Sequence, residues 1–230
     1  MIVYGRNPVR EALRGQRAVS RVWATKNAAR EPWLGEAPIV TIAGADEIER
    51  LSGSDGHQGI CAEVAEYGYA DGDALLRGSP GAPLLVALDQ VTDPQNLGAI
   101  CRTAECAGVS GVVLPERRSA HVTPAVCKAS AGAVEHLRIA QVRNLADWLG
   151  EAKAAGLWCY GADADGGLSY DGVDWAGGAV LVLGSEGRGL RPRVAAACDA
   201  LVSLPLRGRI ESLSVSAAAA VLLYAASAAR

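Results

Sequence analysis

The stretch from Leu84 to Pro115 constrains the fold of this chain more than any other. It opens with the continuous apolar run Leu84–Leu88, which is typical of a strand buried on both faces, and it closes with a second such run, Val112–Leu114. Between the two runs, Asp93 is a good helix N-cap, Pro94 suits the first helical position, and apolar residues then recur at helical spacing. The stretch therefore predicts a β-α-β unit whose polar residues gather in the loop after the first strand, where open α/β sheets bind ligands.

The chain beyond this unit continues to alternate between strands and helices. Such alternation predicts an α/β domain with a parallel sheet, which we place at residues 84–230. Residues 1–70 predict a smaller α/β domain, with a helix near Pro8–Arg14 and a strand at Gly59–Val64. The connecting segment, residues 71–83, is rich in Gly, Pro and Asp, so we interpret it as a linker.

The composition limits the class of protein. Half of the residues are hydrophobic, which is ample for a core, and the net charge of −3 argues against a uniformly basic surface. The six cysteines form no Cys-x-x-Cys pair and there are three histidines, so we expect reduced thiols and no metal site. The start of the chain has no apolar signal segment, and the longest apolar stretch, Val215–Ala229, is short and alanine-rich. These features predict a cytoplasmic protein that does not bind a membrane.

Basic residues are concentrated near the amino terminus. Residues 1–30 contain seven basic side chains against one acid, Glu11. Arg6, Arg10 and Arg14 are spaced by four, so a helix would carry them along one face. Such a face is either simply solvated or a surface for phosphate contact.

Two other segments place polar or glycine residues just after a predicted strand. In the helix predicted after Asp93, Asn96 lies in the first turn and Arg102 points away from the apolar stripe, which by itself is typical of a solvated charge. Further on, the apolar strand Ala179–Leu183 ends in Gly184–Gly189, whose three glycines let backbone amides approach a ligand closely. The spacing is not that of the G-x-G-x-x-G dinucleotide motif.

Three blocks, in this order along the chain, resemble the SpoU (TrmH) family of RNA 2′-O-methyltransferases. The first carries Asp93, Asn96 and Arg102 in the spacing of the family's Asp-x-x-Asn-x-Gly-x-x-x-Arg motif. The second is Gly184–Gly189, and the third is Leu204–Ser216, with the sequence LPLRGRIESLSVS. The segment YGRNPVREAL near the amino terminus is similar to the opening of the branch that methylates guanosine in 23S rRNA.

The resemblance implies a fold, a cofactor and partners. The fold is an α/β domain with a deep trefoil knot at its carboxyl end, preceded by a small ribosomal-protein-like RNA-binding domain. The cofactor is S-adenosylmethionine, and the reaction is 2′-O-methylation of a ribose in RNA, with guanosine in 23S rRNA the expected target. Two subunits of a homodimer are expected to complete each site.

The resemblance also assigns site residues. Arg102 corresponds to the family's catalytic arginine. Because a guanidinium stays protonated at neutral pH, we interpret Arg102 as a residue that binds an RNA phosphate rather than as a base. Ser214 stands where the family has asparagine, so the side chain is shorter and has a single donor. The other catalytic positions are Asn96, Glu186 and Ser212. The expected cofactor-binding positions are Leu183, Gly184, Glu186, Gly187, Leu204, Pro205, Leu206, Ser212 and Leu213. The expected RNA-binding positions are Arg6, Arg10, Arg14 and Arg102.

Other functions remain open from the sequence. Within the same chemistry, the substrate could be tRNA, or the protein could be an rRNA methylase that confers antibiotic resistance. From a different class, Ser214 is compatible with an RNA-binding or ribosome-assembly protein that has lost catalysis. A nucleotide-binding regulator that uses Gly184–Gly189 is a further alternative, and it predicts affinity for ATP or NAD instead of S-adenosylmethionine.

Overall fold

The computed structural model describes residues 1–77, 81–210 and 212–230, which form two sheets with their flanking helices. Residues 78–80 of the expected linker and residue 211 of the third block lie outside the described residues. The first sheet and its helices comprise β1 (Ile2–Tyr4), α1 (Arg6–Arg14), β2 (Val19–Ala24), β3 (Val40–Ile42), α2 (Ala45–Ser52) and β4 (Ile60–Val64). The elements that follow are α3 (Gly72–Arg77), β5 (Leu84–Asp89), α4 (Pro94–Cys106), β6 (Gly111–Pro115), α5 (Pro124–Ala129), β7 (Ile139–Val142), α6 (Leu145–Ala154), β8 (Trp158–Ala162), β9 (Leu168–Ser169), β10 (Ala179–Gly184), α7 (Pro192–Ala197), β11 (Ala200–Ser203) and α8 (Val215–Ala228).

The larger sheet has seven strands in the order β7-β6-β5-β10-β8-β11-β9. Every strand pair described in it is parallel. All residues of β5, β6 and β10 are buried, as expected for central strands covered by helices on both faces. The predicted α/β fold with a parallel sheet is confirmed.

The β5-α4-β6 unit has the local structure that its sequence predicts. The side chain of Asp93 accepts a hydrogen bond from the backbone N–H of Gln95 at 3.0 Å, and Pro94 occupies the first turn of α4. The helix buries the apolar stripe that the sequence shows. Its buried residues are Leu97, Gly98, Ile100, Cys101 and Ala104.

The smaller sheet has four strands in the order β1-β4-β2-β3, and it mixes antiparallel with parallel pairs. β1 is only three residues long, and the sequence pattern did not indicate it. The segment expected to be a linker contains α3, whose Leu75 is fully buried against the larger sheet. This helix is too short for its periodicity to be recognised beside the Gly, Pro and Asp residues around it.

An ion pair and a hydrogen bond connect the elements around the smaller sheet to those around the larger sheet. Arg17, between α1 and β2, binds Glu135 through its Nε atom at 2.8 Å from Oε2, and the Glu135 side chain is fully buried. Burial lowers the pKa of Arg17, but the hydrogen bond and charge of Glu135 outweigh it, so this pKa lies above its ordinary value. Nearby, Lys128 of α5 donates to the carbonyl of Gly56 at 2.8 Å. These contacts hold the smaller sheet against α5, which in turn packs on α4.

The carboxyl-terminal helix α8 returns across the larger sheet. It packs against β10 and along α4, and its Leu222, Leu223 and Ala226 are buried. This path is compatible with the trefoil knot, which stays a prediction. Among the helices in the described parts of the chain, none is both long and apolar enough for a transmembrane segment.

Candidate active site

A cavity of about 600 Å³ lies at the carboxyl ends of β8, β10 and β11, beneath the start of α8. Its walls combine apolar side chains with the glycine-rich loop after β10. The parallel sheet determines this position, because the carboxyl ends of its strands all meet at one edge. The apolar lining residues are Ala162, Ala164, Leu183, Val202, Leu204, Leu206, Leu213, Val215, Ala218 and Leu222. The polar ones are Asp163, Asp165, Ser185, Glu186, Arg188, Ser212 and Ser214.

The loop after β10 is a tight turn that only glycine permits at its base. Ser185 and Gly189 exchange backbone hydrogen bonds at 3.1 and 2.9 Å, which folds the loop back on itself. A Cβ atom at Gly184 would lie 2.2 Å from the carbonyl carbon of Gly189, so no side chain fits there. Gly187 and Gly189 have φ values of 75° and 63°, in the left-handed region that favours glycine. The result is a compact loop in which residues 186–189 are exposed and line the cavity.

The third block forms the opposite wall and starts α8. Of the expected cofactor-binding residues in this block, Leu204, Leu206, Ser212 and Leu213 line the cavity, whereas Pro205 is not among the described residues that line it. Ser214 has a structural role: its Oγ accepts a hydrogen bond from the backbone N–H of Ala217 at 3.2 Å and so caps α8. Because serine and asparagine are both strong N-caps, the departure from the family pattern preserves this cap.

Arg102 and Asn96 are placed differently from the other expected catalytic residues. Both lie on α4, and neither is among the described residues that line the cavity of the same chain. Arg102 is exposed, and in the described structure it forms no ion pair. The structure therefore brings together Glu186, Ser212 and Ser214 but leaves the guanidinium on an outer face.

The position of α4 depends on its contact with α5. A Cβ atom at Gly98 would lie 2.3 Å from Cβ of Ala129 and 2.9 Å from the backbone nitrogen of Ser130. The helices approach this closely only because residue 98 has no side chain. The helix α5 contacts β1 of the smaller sheet on one side and α4 on the other. It therefore connects the smaller sheet to the helix that carries Arg102.

The three arginines of α1 lie on one helix, as the sequence predicted, but each is paired with a carboxylate. Arg6 binds Glu31 at 2.7 Å, Arg10 binds Glu11 at 2.7 Å, and Arg14 lies 3.7 Å from Glu11. These pairs offset part of the positive charge on this face. Their expected contact with RNA stays a prediction.

Two carboxylates are among the cavity residues that the sequence analysis did not assign to the site. Asp163 and Asp165 form a turn, in which the backbone N–H of Asp165 donates to Oδ1 of Asp163 at 2.9 Å. The same turn follows β8 at the edge where the cavity lies, so both carboxylates line it. The signal that could have found them is their place directly after a predicted strand.

Two family models match the chain in succession. Residues 2–70 match the substrate-binding domain of RNA 2′-O-ribose methyltransferases, and residues 83–224 match the SpoU rRNA methylase family. The chain belongs to the SpoU rRNA methylase family. A curated relative, named as a TrmH-family tRNA/rRNA methyltransferase of Bacillus subtilis, is 37% identical over 96% of this SpoU-family chain and 93% of its own length.

Two solved structures share the fold of this SpoU-family chain over nearly its whole length. One, an RNA methyltransferase of the TrmH family from Porphyromonas gingivalis, has a TM-score of 0.79 at 30% identity and covers 97% of this chain and 88% of its own. The other is an rRNA methyltransferase from Sinorhizobium meliloti solved with AdoMet bound. It has a TM-score of 0.80 at 26% identity, and the match covers 98% of this chain and 85% of its own. The resemblance inferred from the three blocks is thereby confirmed.

Proposed function

We propose that this protein transfers the methyl group of S-adenosylmethionine to a ribose 2′-hydroxyl of RNA, and that its target is a guanosine of 23S rRNA in the cytoplasm. The observation that carries the proposal is the convergence of the second and third blocks, Gly184–Gly189 and Leu204–Ser216, on one cavity at the strand ends. The match of residues 2–70 to a substrate-binding domain supports an RNA ribose as the acceptor.

The cavity suits this cofactor in size and chemistry. Apolar walls at Leu204, Leu206 and Leu213 would cover an adenine ring, and the backbone of the exposed residues 186–188 would bind its polar edges. Asp163, Asp165 and Glu186 would face the positive charges of the sulfonium and the amino group. The bound cofactor supplies an electrophilic methyl group, so the protein needs no nucleophile of its own.

The remaining task of the protein is to orient the ribose, because on methyl transfer S-adenosylhomocysteine is the leaving group and the hydroxyl proton can pass to solvent. A guanidinium can bind a phosphate through two parallel hydrogen bonds, so Arg102 would hold the phosphate beside the target ribose. Glu186 and Ser212 line the cavity and would hydrogen-bond the ribose, while Asn96 would orient Arg102 from the first turn of α4. Such positioning lowers the activation free energy of methyl transfer, because the entropy cost of orienting the hydroxyl is met when the RNA binds.

We propose further that a homodimer completes the site. Arg102 is exposed on α4, outside the cavity of its own chain, and α4 packs along α8. On α8, Val221 and Tyr224 are 44% and 54% exposed, which leaves apolar surface beside α4 available to a second copy. A second subunit bound there would bring its Arg102 near a cavity that Ser212 lines.

The direct test of the methyltransferase proposal is to map 2′-O-methyl groups on ribosomal RNA from cells that carry either the wild-type protein or Arg102→Ala. We expect one site to be methylated only with the wild-type protein. The matched control is Glu105→Ala, which removes an exposed charge from the same helix and should leave methylation intact. If tRNA digests change instead of rRNA digests, the rRNA assignment is wrong. If S-adenosylmethionine shows no calorimetric binding, the methyltransferase proposal is wrong.

A mixing experiment tests the composite site. Arg102→Ala lacks the guanidinium, and Gly184→Ala disrupts the cavity, so each protein alone should be inactive. If Arg102 acts across the dimer, heterodimers of the two variants contain one intact site, and mixing them restores part of the activity. No restoration, with heterodimers shown by mass spectrometry, would place both parts of the site in one chain.

A further inference from the structure

Two loops at the carboxyl end of the larger sheet carry three exposed arginines. Arg117 and Arg118 follow β6, and Arg143 follows β7. The two strands are neighbours, with Pro115 in register with Val142, and the backbone N–H of the next residue, Glu116, donates to the carbonyl of Val142 at 2.9 Å. The loops therefore leave the sheet side by side.

These arginines differ from those of α1 in having free donors. In the described residues, none of the three forms a salt bridge or a side-chain hydrogen bond, whereas Arg6, Arg10 and Arg14 are all paired with carboxylates. A guanidinium without a protein partner keeps all of its N–H donors available to a ligand. The loops hold one acid, Glu116, so positive charge predominates.

The backbone of Arg118 is held in an unusual conformation. Its φ value is 59°, in the left-handed region that a side chain with Cβ rarely adopts. The loop is tied to the segment that follows β5, because the backbone N–H of Ala120 donates to the carbonyl of Val91 at 2.8 Å and the hydroxyl of Ser119 donates to the same oxygen at 3.4 Å. Glycine or asparagine would suit this turn better than arginine. In the described part of the chain the Arg118 guanidinium has no protein partner, so its conformation is consistent with a partner outside the chain.

The position of these loops relates them to the cavity. In the sheet, β5 separates β6 from β10, which carries the glycine loop. At about 4.8 Å between neighbouring strands, β6 and β7 lie about 10 and 15 Å from β10. A polymer whose ribose entered the cavity would pass over the start of α4 and reach the loops within a few nucleotides.

We propose that Arg117, Arg118 and Arg143 form a phosphate-binding edge that holds the RNA strand next to the nucleotide in the cavity. The chemistry recognised is the phosphodiester backbone, which arginine binds without regard to base sequence. This inference rests on the proposed function, because it identifies the path of that reaction's RNA. It assigns RNA contact to the catalytic domain in addition to residues 1–70.

The test compares single variants and their triple combination in binding to a 23S rRNA transcript across a series of KCl concentrations. Arg117→Gln and Arg143→Gln remove charge while keeping length, and Arg118→Asn removes charge with a residue that tolerates the left-handed conformation. Each variant should weaken binding, and each should reduce the slope of log affinity against log salt by about 0.7 to 1. Arg118→Lys should keep most of the slope.

The matched control is Arg138→Gln, at the opposite end of β7, where the exposed side chain donates to the carbonyl of Ala74 at 3.1 Å. It should leave RNA binding unchanged. Calorimetry with S-adenosylmethionine should give the wild-type affinity for every variant, which shows that the fold and the cavity are intact. If the triple variant binds S-adenosylmethionine and keeps both the RNA affinity and the salt slope of the wild type, the phosphate-binding edge is wrong while the proposed function stands. If the wild-type protein itself binds no 23S rRNA, both are wrong.

Discussion

Arg191 binds the carboxylate of Asp89 across 102 positions of sequence. Its Nε and Nη2 atoms each lie 2.7 Å from Oδ1, and its backbone N–H donates to Oδ2 at 2.9 Å. Asp89 is fully buried at the end of β5, and Arg191 comes two residues after the glycine loop. The pair therefore fixes the loop that forms one wall of the cavity to the strand that leads into α4.

We expect Arg191→Met to destabilise the protein and weaken S-adenosylmethionine binding. Removing one partner of a buried pair costs about 3–5 kcal/mol, and because the Arg191 side chain is 44% exposed the cost should fall near the lower limit. Arg193→Met is the matched control, since Arg193 pairs with Asp147 at the surface, where such a pair contributes about 0–1 kcal/mol. Urea unfolding and calorimetry measure both effects. Equal stability of the two variants would contradict the role of the buried pair.

Substitutions in the glycine loop should separate steric from conformational effects. Gly184→Ala places a Cβ atom 2.2 Å from the backbone of Gly189, so the loop must open and S-adenosylmethionine binding should be lost. Gly187→Ala meets no atom within 4 Å, and it suffers only the left-handed φ of 75°, which costs about 1–2 kcal/mol. We therefore expect weakened binding for Gly187→Ala and none for Gly184→Ala. Calorimetry with circular dichroism as a folding check would decide, and the reverse order would refute this account of the loop.

The sequence predicted those parts of the fold that depend on local signals. The apolar runs at β5 and β6, the Asp93 cap and the alternation of elements are all readable within a short window, and all are confirmed. The order of the strands and the pairing of Asp89 with Arg191 depend on residues far apart in the chain, which no local pattern specifies. The same limit applies to Arg17 and Glu135, which lie 118 positions apart.

The candidate site was only partly predictable for a related reason. The second and third blocks end strands of one parallel sheet, so their convergence follows from the fold. Arg102 belongs to the first block, yet α4 carries it along an outer face of the same chain. Asp163 and Asp165 carry no motif and become visible only when β8 is placed beside β10. Sequence motifs identified the chemistry, but three-dimensional packing determines which residues share the cavity.

Ser214 offers a test of whether its departure from the family pattern matters. Ser214→Ala removes the cap on α8 and should cost about 1 kcal/mol of unfolding free energy. Ser214→Asn restores the family residue and keeps an acceptor for the N–H of Ala217, so stability should match the wild type and methyl transfer should be at least as fast. Thermal unfolding and initial methylation rates measure the two outcomes. An asparagine variant as unstable as the alanine variant would show that the cap is not the relevant interaction.

Glu11 should make stability depend on pH in the acid range. Burial raises the pKa of Glu11, but hydrogen bonds from His136 and Arg10 and the charges of Arg10 and Arg14 outweigh it, so its pKa lies below the ordinary 4.5. A carboxylate with a lowered pKa stabilises the folded state above pH 4.5, and this contribution is lost as the pH falls through the folded-state value.

The bond of 3.0 Å between Glu11 and Nε2 of His136 joins α1 to the segment that precedes β7, so acid should weaken this contact between α1 and the larger sheet's segment. We expect the wild-type free energy of unfolding to fall more steeply below this pH than that of Glu11→Gln, as measured by urea unfolding at a series of pH values. Glu49→Gln, which changes an exposed carboxylate of α2, is the control and should keep the wild-type slope. If Glu11→Gln also keeps that slope, the carboxylate is not the group whose protonation loosens the interface.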